Sequence, residues 1–149
     1  MLQRTRSLAR ALLKFDLSAE RPLLLLSGND LEHLQLAFAA MYAGIPYCPV
    51  SPAYSLVSRD FGKLRHIVDT LQPGLVFAAD DSFAHAIASV VPAGIPVILT
   101  QGFIDGRQCL AFESLLAEPG DASADAAFAA TAPGSIAKFL FTSGSTQLP

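Results

Sequence analysis

The chain has 149 residues, about the size of one domain. Ten Lys and Arg against 13 Asp and Glu leave a net charge of −3, which excludes the basic stripe of a nucleic-acid binder. Charged residues make up only 15% against roughly 25% in a usual soluble domain, so some faces are expected to be covered by something outside this sequence.

The opening residues, MLQRTRSLARALLKF, place Leu8, Leu12, Leu13 and Phe15 near one helical face and Arg4, Arg6, Arg10 and Lys14 elsewhere. That spacing predicts an amphipathic helix over 3–15, with Lys14 and Asp16 cutting the apolar run too short for a signal peptide. Leu23 to Leu26 form a solid apolar run of strand length, as a parallel strand buried on both faces requires. It ends at Ser27-Gly28-Asn29-Asp30, where Asn29 is placed to cap a helix and Glu32 to answer it as a capping box. The turn can hold an anion at a helix start, yet it lacks the GxGxxG fingerprint of a dinucleotide site. Leu31, Leu34, Phe38 and Met41 then recur at steps of 3 or 4, as in a helix, and Gly44 sits where a helix C-terminus wants a left-handed residue.

A second strand is expected over Ile45 to Val50, at a sheet edge because of Pro46 and Pro49. The surrounding uncharged run is too interrupted by Gly44, Pro46, Pro49 and Pro52 to span a membrane. Ser58 is placed to cap a helix carrying Val57, Phe61, Leu64, Ile67, Val68 and Leu71, stopped by Pro73. A strand at Leu75 to Ala79, a helix at Phe83 to Val91 and a strand at Pro96 to Thr100 continue the alternation. This rhythm specifies an α/β class: a parallel sheet with flanking helices and right-handed crossovers. Beyond Thr100 the pattern weakens. Phe112 to Ala117 suits a short helix, Glu118 to Gly134 reads as a surface excursion or linker, and Ile136 to Phe141 reads as a last strand.

Cys48 and Cys109 lie far apart without metal spacing and are expected as reduced, mostly buried thiols of a cytoplasmic protein. His33, His66 and His85 show no spacing that converges three ligands, so no metal site is expected. Asp80 and Asp81 follow a strand, where capping by Asp81 or Ser82 is the common use. Tyr42, Tyr47 and Tyr54 read as packing residues.

The run with chemical content is FTSGSTQLP, Phe141 to Pro149. Thr142, Ser143, Ser145 and Thr146 bring four hydroxyls around Gly144 immediately after an apolar stretch. Consecutive backbone N–H groups in such a turn form a nest for an anion, and a glycine permits close approach to phosphate oxygens. A polar solvent-facing loop has the same composition. It is not a Walker A sequence.

The order of residues resembles the T-S-G-S-T-G-x-P-K-G phosphate loop of the adenylate-forming superfamily, matched by Thr142, Ser143, Gly144, Ser145, Thr146 and Pro149. The stretch LLLLSGNDLEHLQLAFAAMYAGIPYCPVSPAYS, Leu23 to Ser55, resembles that family's early strand–helix–strand, and IPYCPVSPAYSL is most similar to its feruloyl-CoA synthetase branch. The resemblance implies an ATP-dependent acid:CoA ligase that uses ATP, Mg²⁺ and CoA on a small-molecule carboxylic acid. It assigns Thr142, Ser143, Gly144, Ser145 and Thr146 to nucleotide phosphates and no catalytic residue to this chain. Gln147 departs from the family's second glycine, and the loop lysine and all downstream motifs lie beyond Pro149. Residues 1–149 are therefore expected to be a partial N-terminal domain, its first subdomain, truncated at the phosphate loop and inactive alone. The competing expectations are a non-catalytic fold piece that works only with a complementary chain, and a small flavodoxin-like binding module.

Overall fold

The computed structural model describes residues 1–142. Helix α1 (Leu2–Leu12) leads to strand β1 (Leu23–Leu26), helix α2 (Leu31–Tyr42) and strand β2 (Tyr47–Val50). A short helix α3 (Ala53–Leu56) precedes α4 (Gly62–Leu71), β3 (Leu75–Ala78) and a 3-10 turn at Asp81–Phe83 that runs into α5 (Ala84–Val90). Strands β4 (Val97–Leu99) and β5 (Cys109–Ala111), a 3-10 turn at Phe112–Leu116 and α6 (Ala122–Ala129) complete the described elements.

The strands pair in the order β2-β1-β3-β4-β5, and every pairing is parallel. The α/β class is thus as the sequence specifies. Leu23–Leu26 are buried on both faces because β1 lies between β2 and β3, with Leu23 opposite Tyr47 and Leu75 and Leu26 opposite Val50 and Ala78. The pleat then sorts alternate residues into two cores. Leu24, Leu26, Val76 and Ala78 meet Leu64, Ile67 and Ile87 of α4 and α5. Leu23, Leu25, Leu75 and Phe77 meet Leu8, Leu12, Leu36 and Phe112 on the opposite side. No described helix is long and apolar enough to cross a membrane.

Several sequence expectations are corrected. The first helix ends at Leu12 rather than residue 15, and Leu13 is exposed. Helix α2 is capped by Asp30, whose Oδ1 accepts the His33 N–H at 2.8 Å. With the cap there, Asn29 lies outside the helix and Glu32 falls one residue short of the box position. The apolar repeat of α2 lies on its outer face: Leu31, Leu34 and Phe38 are 57%, 45% and 41% exposed. The inward face is instead Gln35, Leu36, Ala39 and Ala40, where small side chains let α1 pack closely. Both faces of this helix are apolar, and periodicity alone does not say which one meets the sheet.

The helix expected after Ser58 begins at Gly62, and Val57, which follows α3, is exposed. Phe61 adopts φ +54° at the helix start, with Ser58 Oγ accepting its N–H at 3.1 Å and Asp60 Oδ1 accepting the Gly62 N–H at 3.1 Å. The Gly62 N–H first, and then the Ser58 hydroxyl donating to Asp60 Oδ1 at 3.1 Å, hold the Asp60 carboxyl below its ordinary range. At the other end Gln72 also sits at a positive φ, +49°, and is exposed. A side chain there costs about 1 kcal/mol. Gln72→Gly is therefore expected to raise the urea midpoint by an amount worth about 0.5–1 kcal/mol; a lower midpoint refutes the strain argument.

Asp80, rather than Asp81 or Ser82, caps the Asp81–Phe83 turn, accepting the Ser82 N–H at 2.9 Å. Strand β5 is an element the sequence does not announce. Before it, Arg107 donates to the Ile87, Val91 and Pro92 carbonyls at 3.0, 2.5 and 2.7 Å and so closes the C-terminus of α5. The stretch read as a linker contains α6, capped by Asp121 and rich in alanine, the strongest helix former. The expected last strand over 136–141 is reduced to one parallel bridge, Lys138 opposite Tyr47. Tyr47 N–H donates to Ala137 O at 3.3 Å and Phe139 N–H donates to Tyr47 O at 2.9 Å. The next residue of β2 facing that way is Pro49, which has no N–H, so the ladder stops.

Helix α6 is fastened to α1 by charge. Arg6 grips Asp125 through Nε at 2.8 Å and through Nη2, Arg10 meets Asp121 at 2.6 Å and also Glu118, and Lys14 meets Glu118 at 2.9 Å. Ser123 and then Arg10 hold the Asp121 carboxyl down to about 2, and Arg6 lowers that of Asp125. Depressed carboxylates stabilise the fold above the unfolded value, ~3.9, and that contribution is lost as pH falls through the folded value. Helix α6 is thus expected to loosen between about pH 4 and 2, read as earlier exchange of its amides than of those in β1. Loosening that begins already near pH 6 contradicts this account.

Candidate functional site

The hydroxyl-rich segment is approached from the outer edge of β2. After the bridge at Tyr47 the chain leaves the sheet, and Phe139 and Phe141 pack against the core under α4. Phe141 stands edge-on to the His66 ring at 6.2 Å. Beside it, Glu20, Thr70, Gln72 and Phe139 line a groove of about 490 Å³. Thr142 follows and is exposed. Of the candidate phosphate-binding residues only Thr142 is thus placed; Ser143, Gly144, Ser145 and Thr146, like Gln147, lie outside the described residues.

A second polar groove, about 360 Å³, opens where β1 and β2 end. Ser27, Gly28, Asn29 and His33 form one wall, and Ser51 and Pro52 face them. The strand end of β1 delivers Ser27, and the Asp30 cap turns His33 back toward it. Ser27 Oγ lies 2.8 Å from His33 Nδ1, and the Ser27 side chain is buried. Burial lowers the His33 pKa below its ordinary value against the opposing pull of Asp30, so the ring is neutral near pH 7. A neutral imidazole offers one donor and one acceptor, and the Ser27 hydroxyl can pair with Nδ1 in either role. This pairing escapes sequence reading because its partners are six residues apart across a strand end and a helix start. Thr142 does not line this groove.

The other candidates have structural roles. His85 meets Phe61 edge-on at 5.1 Å. Tyr42 stacks on Phe128 at 4.6 Å, Tyr47 is buried in the α1–α2 core, and Tyr54 packs under α4 with Lys63 over its ring at 5.2 Å. Cys48 and Cys109 carry free thiols, and burial pushes that of Cys48 up to about 12, too high for a nucleophile. Among the described residues no three His, Cys, Asp or Glu side chains converge on a metal-sized site.

The sequence model of a family described as AMP-binding enzyme matches residues 1–149. No curated protein matches the chain. Among solved structures, a benzoate CoA ligase from Burkholderia xenovorans LB400 superposes with a TM-score of 0.71 at 21% identity, over 92% of this chain and 25% of that one. Apo MatB from Rhodopseudomonas palustris gives 0.69 at 24% identity, over 97% of this chain and 26% of that one. An ATP-bound RpMatB-BxBclM chimera gives 0.67 at 26% identity, over 95% and 26%. The chain therefore spans about a quarter of the length of these structures.

Proposed function

The chain belongs to the AMP-binding enzyme family, and from that premise we propose that residues 1–149 are part of an ATP-dependent acid:CoA ligase. The observation that carries this reading is the hydroxyl-and-glycine run Thr142 to Thr146, in a chain whose whole length matches that family. Its donor set suits phosphate oxygens: hydroxyls and backbone N–H groups that neutralise nothing but orient well. In this reading Thr142, Ser143, Gly144, Ser145 and Thr146 hold the nucleotide's phosphates. ATP, when bound, supplies the adenylyl group that activates the acid. Magnesium and CoA are the companion cofactors, and no residue of this chain is assigned to either. The wording of Ile45 to Leu56 supports an aromatic acid of the hydroxycinnamate kind and a ligase similar to feruloyl-CoA synthetases.

The 149 residues alone are expected not to catalyse ligation, because the family's later motifs have no counterpart in them. Exchange of labelled pyrophosphate into ATP, with ferulate or benzoate present, should stay at background; acid-dependent exchange overturns the incomplete-domain reading. ATP with Mg²⁺ added to labelled protein should shift the amide resonances of residues 142–146. Shifts confined to Ser27 and His33 would instead remove the phosphate-loop assignment.

One observation favours a second reading, a fold piece that works only with a complementary chain. The residues of α2 that reach solvent most fully are Leu31, Leu34 and Phe38, whereas α4 and α5 expose Arg65, Asp69, Thr70, His85 and Ser89. Sedimentation decides here: a monomer at high concentration that binds no hydrophobic dye argues against a missing partner.

A further inference from the structure

The stretch that leads to the hydroxyl-rich segment is barely gripped by the fold. Residues 131–138 are all exposed, and only Phe139 and Phe141 beyond them are partly covered. Its backbone is tied to the sheet at Tyr47 alone, through the two hydrogen bonds of the bridge. Upstream, the stretch begins at the end of α6, and α6 itself buries little: Ala124 is its one buried residue.

What holds α6 in place is centred on Asp125. Its carboxylate accepts from Arg6 Nε at 2.8 Å and from Arg6 Nη2, and Tyr42 Oη donates to Oδ1 at 2.8 Å. The Tyr42 ring is in turn stacked on Phe128, one turn further along α6. Two-pronged guanidinium–carboxylate pairing fixes orientation as well as distance. Between this clasp and the Tyr47 bridge the chain runs through closed turns. Thr131 N–H and Oγ1 both donate to Phe128 O, at 3.1 and 2.7 Å, Ser135 N–H donates to Ala132 O at 2.9 Å, and Ala132 N–H donates to Ser135 Oγ at 2.9 Å. A short hydrogen-bonded run passes on a displacement that a slack linker would absorb.

We propose that Asp125 is the positioning residue of the stretch that ends at Thr142: gripped by Arg6 and Tyr42, it fixes α6 and, through the turns at 131–135, the register in which residues 137–139 meet Tyr47 and the point from which Thr142 leaves the fold. The functional meaning rests on the phosphate-loop reading; the mechanical coupling does not. The competing arrangement is that Phe139 and Phe141, against the α4 core, place the segment without help from the clasp.

Site-resolved amide hydrogen exchange on the whole 149-residue chain separates the two. Asp125→Ala is expected to speed exchange at the Tyr47 and Phe139 amides by roughly tenfold or more while Leu25 and Phe77 keep their rates. Arg6→Met should produce the same selective pattern, and the double substitution should add little to either, because the pair acts as a unit. Should Asp125→Ala not fold, the isosteric Asp125→Asn carries the same comparison. Unchanged rates at Tyr47 and Phe139 while α6 frays overturn the proposal, as does uniform acceleration that includes Leu25 and Phe77. Titration of the parent chain with ATP and Mg²⁺ tests the phosphate-loop reading separately: selective exchange without nucleotide binding keeps the coupling and removes its functional meaning.

Discussion

Replacing Phe77 with alanine is expected to cost roughly 3–5 kcal/mol, a large share of the ~5–15 kcal/mol that holds a domain of this size together. Phe77 lies in β3, fully buried and central in the sheet, with the Phe112 ring 6.2 Å away. Its neighbours in that core, Leu23, Leu25 and Leu75, sit on strands fixed by pairing on both sides. They cannot collapse into the space a ring leaves behind. The penalty therefore combines lost transfer energy with a persistent cavity. Chemical denaturation with an unchanged m-value should show it; a loss below about 1.5 kcal/mol would mean that this core relaxes freely.

Gly120→Ala is the second large effect, by a different mechanism. A Cβ there would collide with Arg6 Cβ and lie 2.7 Å from the Arg6 carbonyl carbon and 3.0 Å from its Cα. Those last two atoms belong to the backbone of α1 and cannot swing aside. The 118–129 segment must lift, straining the Arg10–Glu118 and Arg10–Asp121 pairs as well as the Asp125 clasp. The expected loss is about 1–3 kcal/mol, with α6 amides affected first. Gly28→Ala and Gly134→Ala, where an added Cβ meets nothing within 4 Å, should stay within about 0.5 kcal/mol. Equal losses at all three positions would refute the steric explanation.

The parts of the fold that could be read from the sequence are those where burial and periodicity coincide. Leu23–Leu26 and Leu75–Ala78 announce themselves because a strand buried on both faces has no polar residue to dilute it. Strand β5 offers only Cys109, Leu110 and Ala111, partly exposed, and carries no such signal. In the Glu118–Gly134 stretch, Asp, Gly and Pro suggested a linker, yet the alanines between them form a helix once Asp121 caps it and α1 supplies opposite charges. On α2 the period was legible and the inward side was not, since apolar residues point both ways. The candidate site was legible as a string of residue types, Thr142 to Thr146. The groove around Ser27 and His33 was not, because contact across a strand end and a helix cap leaves no spacing pattern.

Pro49 carries one more consequence. A sheet edge with unpaired backbone groups is a ready template for foreign strands. Along β2 the one outward donor with a partner is Tyr47, and the following outward position is an imino acid. An incoming strand finds one rung already occupied and the next missing. This rim therefore offers an added strand few free rungs, a protection built from covalent structure rather than from surface charge.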